Sequence, residues 1–158
     1  MDNPLATFER NVFDAFGPLT SSAGLQHVRS VIHAPELAVF FEGHSVGLAV
    51  KFELVMTPWV ELAHIVRADD GHITVRERCG LKFILAERAP LEQQTSVPMK
   101  DGDDPALAIV LGELARQVQQ YAADVLGGDF SVFPLCRRRA EENLRRTEEQ
   151  LYGPSREQ

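Results

Sequence analysis

The alternation of Val46, Leu48, Val50, Phe52 and Leu54 with Gly47, Ala49, Lys51 and Glu53 constrains the fold more than any other feature of this chain. A period of two sends successive side chains to opposite faces, so one face of this segment is buried and the other partly wet, as in an antiparallel strand. Leu25 to His33, Leu37 to Glu42 and Val46 to Met56 read as three extended segments, separated by Ala34-Pro35 and by a hairpin turn over Glu42-Gly43-His44-Ser45. After the turn signal Asp69-Asp70-Gly71, His72 to Arg78 and Leu81 to Glu87 also read as extended, with Gly80 marking a bulge or break between them. For Thr57 to Arg67 a short helix is expected, because Thr57-Pro58 makes a good start and Trp59, Leu62, Ala63 and Val66 share a helical face; Val60, Leu62 and Val66 also fit a strand.

Helical periods flank this region. Pro4 suits a first helical position, Leu5, Phe8, Val12 and Phe16 follow one stripe, and Gly17-Pro18 is expected to stop the helix. Asp104-Pro105 supplies a cap and a first-turn proline for a helix whose stripe runs through Leu107, Val110, Leu111, Leu114, Val118, Tyr121 and Val125 to Gly127-Gly128. A last helix begins around Ser131 to Pro134 and ends near Leu151, with Ala140, Leu144, Thr147 and Leu151 on a narrow face. Within it Arg137 and Glu141, Arg138 and Glu142, and Arg145 and Glu149 stand four apart, the spacing of surface ion pairs. Residues 90–104 lack periodicity and form a loop longer than most connections.

Together these segments predict an α+β fold: an antiparallel sheet of about four to five strands, with an N-terminal helix and two C-terminal helices packed against it. At 158 residues one core and one domain over 1–153 are expected, with 154–158 as a short disordered tail. The composition, 44% hydrophobic and 25% charged, is that of a globular protein, and no stretch is apolar enough to span a bilayer. Met1-Asp2-Asn3-Pro4 carries no basic segment leading into an apolar run, so the expected compartment is the cytoplasm. Cys79 and Cys136 show no CxxC spacing and read as reduced, packed thiols, although Arg78 beside Cys79 and three arginines beside Cys136 could activate either one.

Net charge is −7, and residues 1–133 hold 10 basic against 18 acidic side chains. Nucleic-acid binding needs clustered Lys and Arg, so this balance argues against it and favours a basic protein partner. The histidines 27, 33, 44, 64 and 72 contain no HxxxH, HxH or HExxH pattern. A gathering of His44, His64 and His72 with Glu42 or Asp70 would be needed for a metal, and no cofactor or metal is expected. The strings GxGxxG, GxxxxGK[ST] and GxSxG are absent too, which leaves phosphate-cradling loops and a nucleophile elbow without support. The expected partner surface is therefore the acidic turns, with Asp69, Asp70, Asp101 and Asp103 as contact residues and Trp59 as an aromatic anchor. Asp69-Asp70 and Asp104 also have plain roles in a turn and at a helix cap.

Asn3-Pro4-Leu5-Ala6, Gly112-Glu113-Leu114-Ala115, Gln120-Tyr121-Ala122, Leu126-Gly127-Gly128-Asp129-Phe130 and Phe133-Pro134-Leu135 together resemble a family of small, uncharacterised bacterial cytoplasmic proteins of similar length. The resemblance brings no catalytic residue, and Thr57 to Cys79 departs from it. In charge and size the chain also resembles immunity proteins that neutralise a toxin. These likenesses imply a non-enzymatic protein-binding module. The alternative is a ligand-binding or enzymatic domain with a pocket between sheet and helices, using His44 and His64. Pairing of the last helix with a second copy would make a homodimer.

Overall fold

The computed structural model describes residues 3–53, 56–92 and 105–153. Asp101, Asp103, the expected cap Asp104, most of the long loop and the expected C-terminal tail lie outside these residues. Helix α1 spans Pro4–Ala23, and five strands follow: β1 Gln26–His33, β2 Glu36–Glu42, β3 Val46–Glu53, β4 Trp59–Arg67 and β5 Ile73–Gly80. Helices α2 Leu81–Arg88, α3 Pro105–Tyr121, α4 Ala123–Leu126 and α5 Phe133–Tyr152 complete the chain. The strands form one antiparallel sheet in sequence order, β1-β2-β3-β4-β5. The architecture is the expected α+β arrangement, and among the described residues α2 and α4 are helices beyond those expected from the sequence.

Four expectations are corrected. First, α1 does not stop at Gly17-Pro18 but continues with Pro18 inside it. A helix-interior proline costs roughly 3 kcal/mol. Burial of Phe16, Leu19 and Thr20 on the same stripe opposes that cost, and the Thr20 hydroxyl donates to the carbonyls of Phe16 and Gly17. The true stop is Gly24, whose φ of 72° lies in the left-handed region that a side chain disfavours.

Second, residues 59–67 form strand β4 and not a helix. Val50 pairs with Val60 and Leu48 with Leu62 across β3, and this pairing puts Val60 and Leu62 into the core. Third, Leu81 to Glu87 is helical and not extended. Gly80 caps the start of α2, and Leu81, Ile84 and Leu85 bury a short helical stripe. Fourth, Val125 belongs to α4, because the helix that begins at Pro105 ends at Tyr121.

All the described helices lie on one side of the sheet. Leu37, Val39, Phe41, Val46, Leu48, Val50, Phe52, Val60, Leu62 and Cys79 point into a core shared with Phe8, Val12 and Phe16 of α1 and with Leu107, Leu111, Leu114 and Val118 of α3. Phe8 stacks on Phe52 at 5.5 Å between ring centroids. Fully buried Phe and Leu side chains each contribute about 1.5–3 kcal/mol through burial alone, which makes this layer the main source of stability.

Helix α5 docks through Phe133 and Cys136, while residues 141–152 are exposed. Its arginines do not all bond within the helix as their spacing suggests. Arg137 reaches Glu77 on β5 at 2.7 Å, and Arg139 pairs with Glu87 on α2.

Candidate functional site

With every described helix on one side, no described element covers the other side of the sheet. Its floor consists of residues with little or no side chain. Ala38, Gly47 and Ala49 are buried and Ala63 is half-buried. An added methyl on Gly47 would meet Ala63 and Ile65 at the ordinary contact distances of 3.5 and 3.6 Å. Larger apolar residues stand around the floor: Phe40, Ile65, Ile73 and, at the two edges, Val28 and Val75.

Both edge strands deliver their apolar residue through a break in register. In β1 the register shifts between His27 and Arg29, leaving Val28 as an extra residue. In β5, Glu77 pairs with His64 and Val75 with Ile65, so Arg76 is the extra residue and both Val75 and Arg78 turn to the uncovered face. Such bulges re-aim side chains at the edges of a sheet. Val28 and Val75 stay 45% and 41% exposed, which is unusual for apolar residues facing other apolar residues.

The surface so formed is a shallow groove of about 410 Å³, continuous through Lys51, Glu61 and Arg78 with a wider depression of about 840 Å³ near Trp59, Met56 and Phe83. Charge crosses it in a line. Lys51 sits 3.6 Å from Glu36 and 3.3 Å from Glu61, and the Arg29 guanidinium lies over the Phe40 ring at 4.4 Å. Both arrangements hold a long side chain flat against the sheet, so that Ala38 and Ala49 are buried beneath their neighbours while Val28 and Val75 stay exposed at the edges.

Trp59, the expected anchor, lies on this face at the start of β4, half-buried, with its indole N–H donating to Glu61 at 3.4 Å. Asp69 and Asp70 are exposed beyond the far end of the same strand, which alone spans roughly 26 Å at about 3.3 Å per residue. Asp70 accepts the backbone N–H of His72 at 2.9 Å, a turn-closing role. The structure thus does not bring Trp59 together with these aspartates, and Asp101 and Asp103 fall outside the described residues. Ala38, Gly47, Ala49, Ala63 and Ile65 are the site residues that sequence reasoning missed. The available signal was the run of small residues at the outward positions of β3.

Other polar clusters serve structure. His64 stacks on Phe130 at 4.1 Å, His44 is exposed in its turn, and the described residues hold no group of three metal-binding side chains. Glu92 accepts hydrogen bonds from the Tyr121 hydroxyl, Arg116 and Gln117. The Tyr121 hydroxyl foremost, and then Arg116, hold its carboxyl below the usual range, and the same contact pushes the Tyr121 hydroxyl up. A carboxylate so occupied is a poor proton acceptor. Cys79 and Cys136 are both free and buried, and both line a small cavity where α5 packs on β5.

No family model matches this chain, and no curated protein or solved structure matches it either.

Proposed function

We propose that the protein is a non-enzymatic protein-binding module that seats an apolar segment of its partner on the uncovered face of the sheet. One observation carries this reading: a five-stranded sheet with no described element over its outward side, whose small residues Gly47, Ala49 and Ala63 line a groove edged by the exposed Val28 and Val75. Small residues on a sheet face let another chain approach closely, and the apolar side chains beside them gain by losing contact with water when it does. The partner is one whose apolar segment is flanked by basic groups, because the chain carries a net charge of −7. Asp69 and Asp70 act at longer range, raising the rate of encounter more than the strength of the final contact. Neutralisation of a basic toxin, as immunity proteins achieve it, is the narrower form of this reading.

The test is affinity capture from the native host, followed by titration of the recovered protein against variants. Ala63→Glu places a carboxylate on the floor opposite Arg78, its cross-strand neighbour, so the fold can accept it. Its affinity should fall about tenfold or more, since a buried charge in an apolar contact costs over 1.4 kcal/mol. Reversing Asp69 and Asp70 to lysine should slow association several-fold and leave dissociation nearly unchanged. Equal affinity of wild type and Ala63→Glu would remove the sheet face from the reading. A metabolite that copurifies with the wild type, seen by native mass spectrometry, would reassign the groove to a small ligand.

A further inference from the structure

We propose that Cys79 and Cys136 form a peroxide-responsive dithiol that closes to a disulfide between β5 and α5. The two residues are 57 positions apart, yet β5 and the first turns of α5 place both side chains in one wall of the core, with exposures of 3% and 2%. Cys79 pairs with Leu62 in the sheet and points to the helical side. Cys136 lies near the start of α5, and the two cysteines line the same cavity. Closing the pair across that cavity wall brings the sulphurs to a bond of about 2.05 Å.

The pair is reachable from outside. A cavity of about 250 Å³ is lined by both cysteines and by Arg78, Phe83, Arg137 and Ala140, space enough for a peroxide molecule, which is little larger than the roughly 30 Å³ share of a water. The groups around the sulphurs fit unequal roles. The Cys79 thiol donates to the Gly80 carbonyl at 3.5 Å and can turn its proton to Cys136 when that sulphur ionises. The neighbouring Cys79 thiol, opposed by burial, Glu87 and Glu77 and aided by Arg88, draws the Cys136 thiol down, while Cys136 and burial push the Cys79 thiol up. Cys136, near the start of α5 and beside Arg137 in the cavity wall, where a thiolate is favoured, is the attacking sulphur and Cys79 the resolving one.

The chemistry balances with a hydroperoxide as oxidant. The Cys136 thiolate attacks one peroxide oxygen, the O–O bond breaks, and a sulfenic acid forms with release of water after proton uptake. The Cys79 sulphur then attacks the sulfenic sulphur, loses its proton, and expels a second water as the disulfide forms. The two thiols lose two electrons in total, and the peroxide gains them.

The experiment treats the reduced, intact protein with hydrogen peroxide and reads intact mass, free thiols and unfolding midpoint. A mass lower by two hydrogens is expected, with loss of both free thiols, a monomer on non-reducing gels, a higher midpoint and full reversal by dithiothreitol. Cys79→Ala should instead gain oxygen at Cys136, and Cys136→Ala should keep its thiol under the same exposure. The wild-type readings stand even if either variant folds poorly. A wild type that gains oxygen atoms, forms only disulfide-linked dimers or keeps both thiols would overturn the proposal.

Discussion

Arg88 shows how single residues tie the late helices to one another. Its guanidinium grips Asp124 with two hydrogen bonds of 2.6 Å and donates a third to the Tyr121 carbonyl, joining the end of α2 to the α3–α4 junction. The hydrogen bond from Arg88 holds the Asp124 carboxyl below the usual range. A depressed folded-state value means that this stabilisation is present above the unfolded carboxyl value of about 3.9 and is lost as pH falls through the folded value. Asp124→Asn should cost about 1 kcal/mol at neutral pH, a figure already reduced for partial exposure. In urea titrations the gap between wild type and variant should close as pH drops below about 4. A gap that stays constant to pH 2 would show that packing, and not charge, is what the substitution disturbs.

At the scale of elements, legibility followed length and uniqueness of period. The stripe of α3 and the alternation of β3 leave one solution each, and both were readable. Residues 81–88 offered two solutions, because Leu81, Phe83 and Leu85 alternate as a strand would, while Leu81, Ile84 and Leu85 follow a helix. Eight residues cannot choose between those periods; the core beneath α2 does. The same holds for β4, whose Leu62 serves either pattern and whose identity comes from pairing with β3. The open face was hidden for a related reason: Ala38, Gly47, Ala49 and Ala63 become neighbours only once three strands are in register. Ile84 is fully buried under α2, so Ile84→Ala should destabilise by about 2–5 kcal/mol, whereas Lys82→Ala on the same helix should change stability by less than about 0.5 kcal/mol. Equal losses at the two positions in chemical denaturation would mean that α2 is not a core element.

For the molecule as a whole, stability and interaction are assigned to different parts. The core lies between the sheet and α1, α2, α3 and the start of α5, while the outer sheet face and the far half of α5 contribute little to it. Removing residues 147–158 should therefore shift stability by less than about 1 kcal/mol and leave near-ultraviolet circular dichroism unchanged. If Leu144 and Leu151, 61% and 69% exposed, pair with a second copy, the same truncation will abolish concentration-dependent sedimentation. Cooperative unfolding at a much lower midpoint would show instead that the outer half of α5 supports the body.

The strict β1-β2-β3-β4-β5 order has a consequence for synthesis. Each strand leaves the ribosome with its neighbour already made, so the sheet can grow hairpin by hairpin with little loop-closure cost. Helix α1 is waiting from the outset, but α3, its main helical neighbour, arrives only after the last strand. Until then one flank of the apolar inner layer stands open, and that interval is when the nascent chain most needs protection from its neighbours.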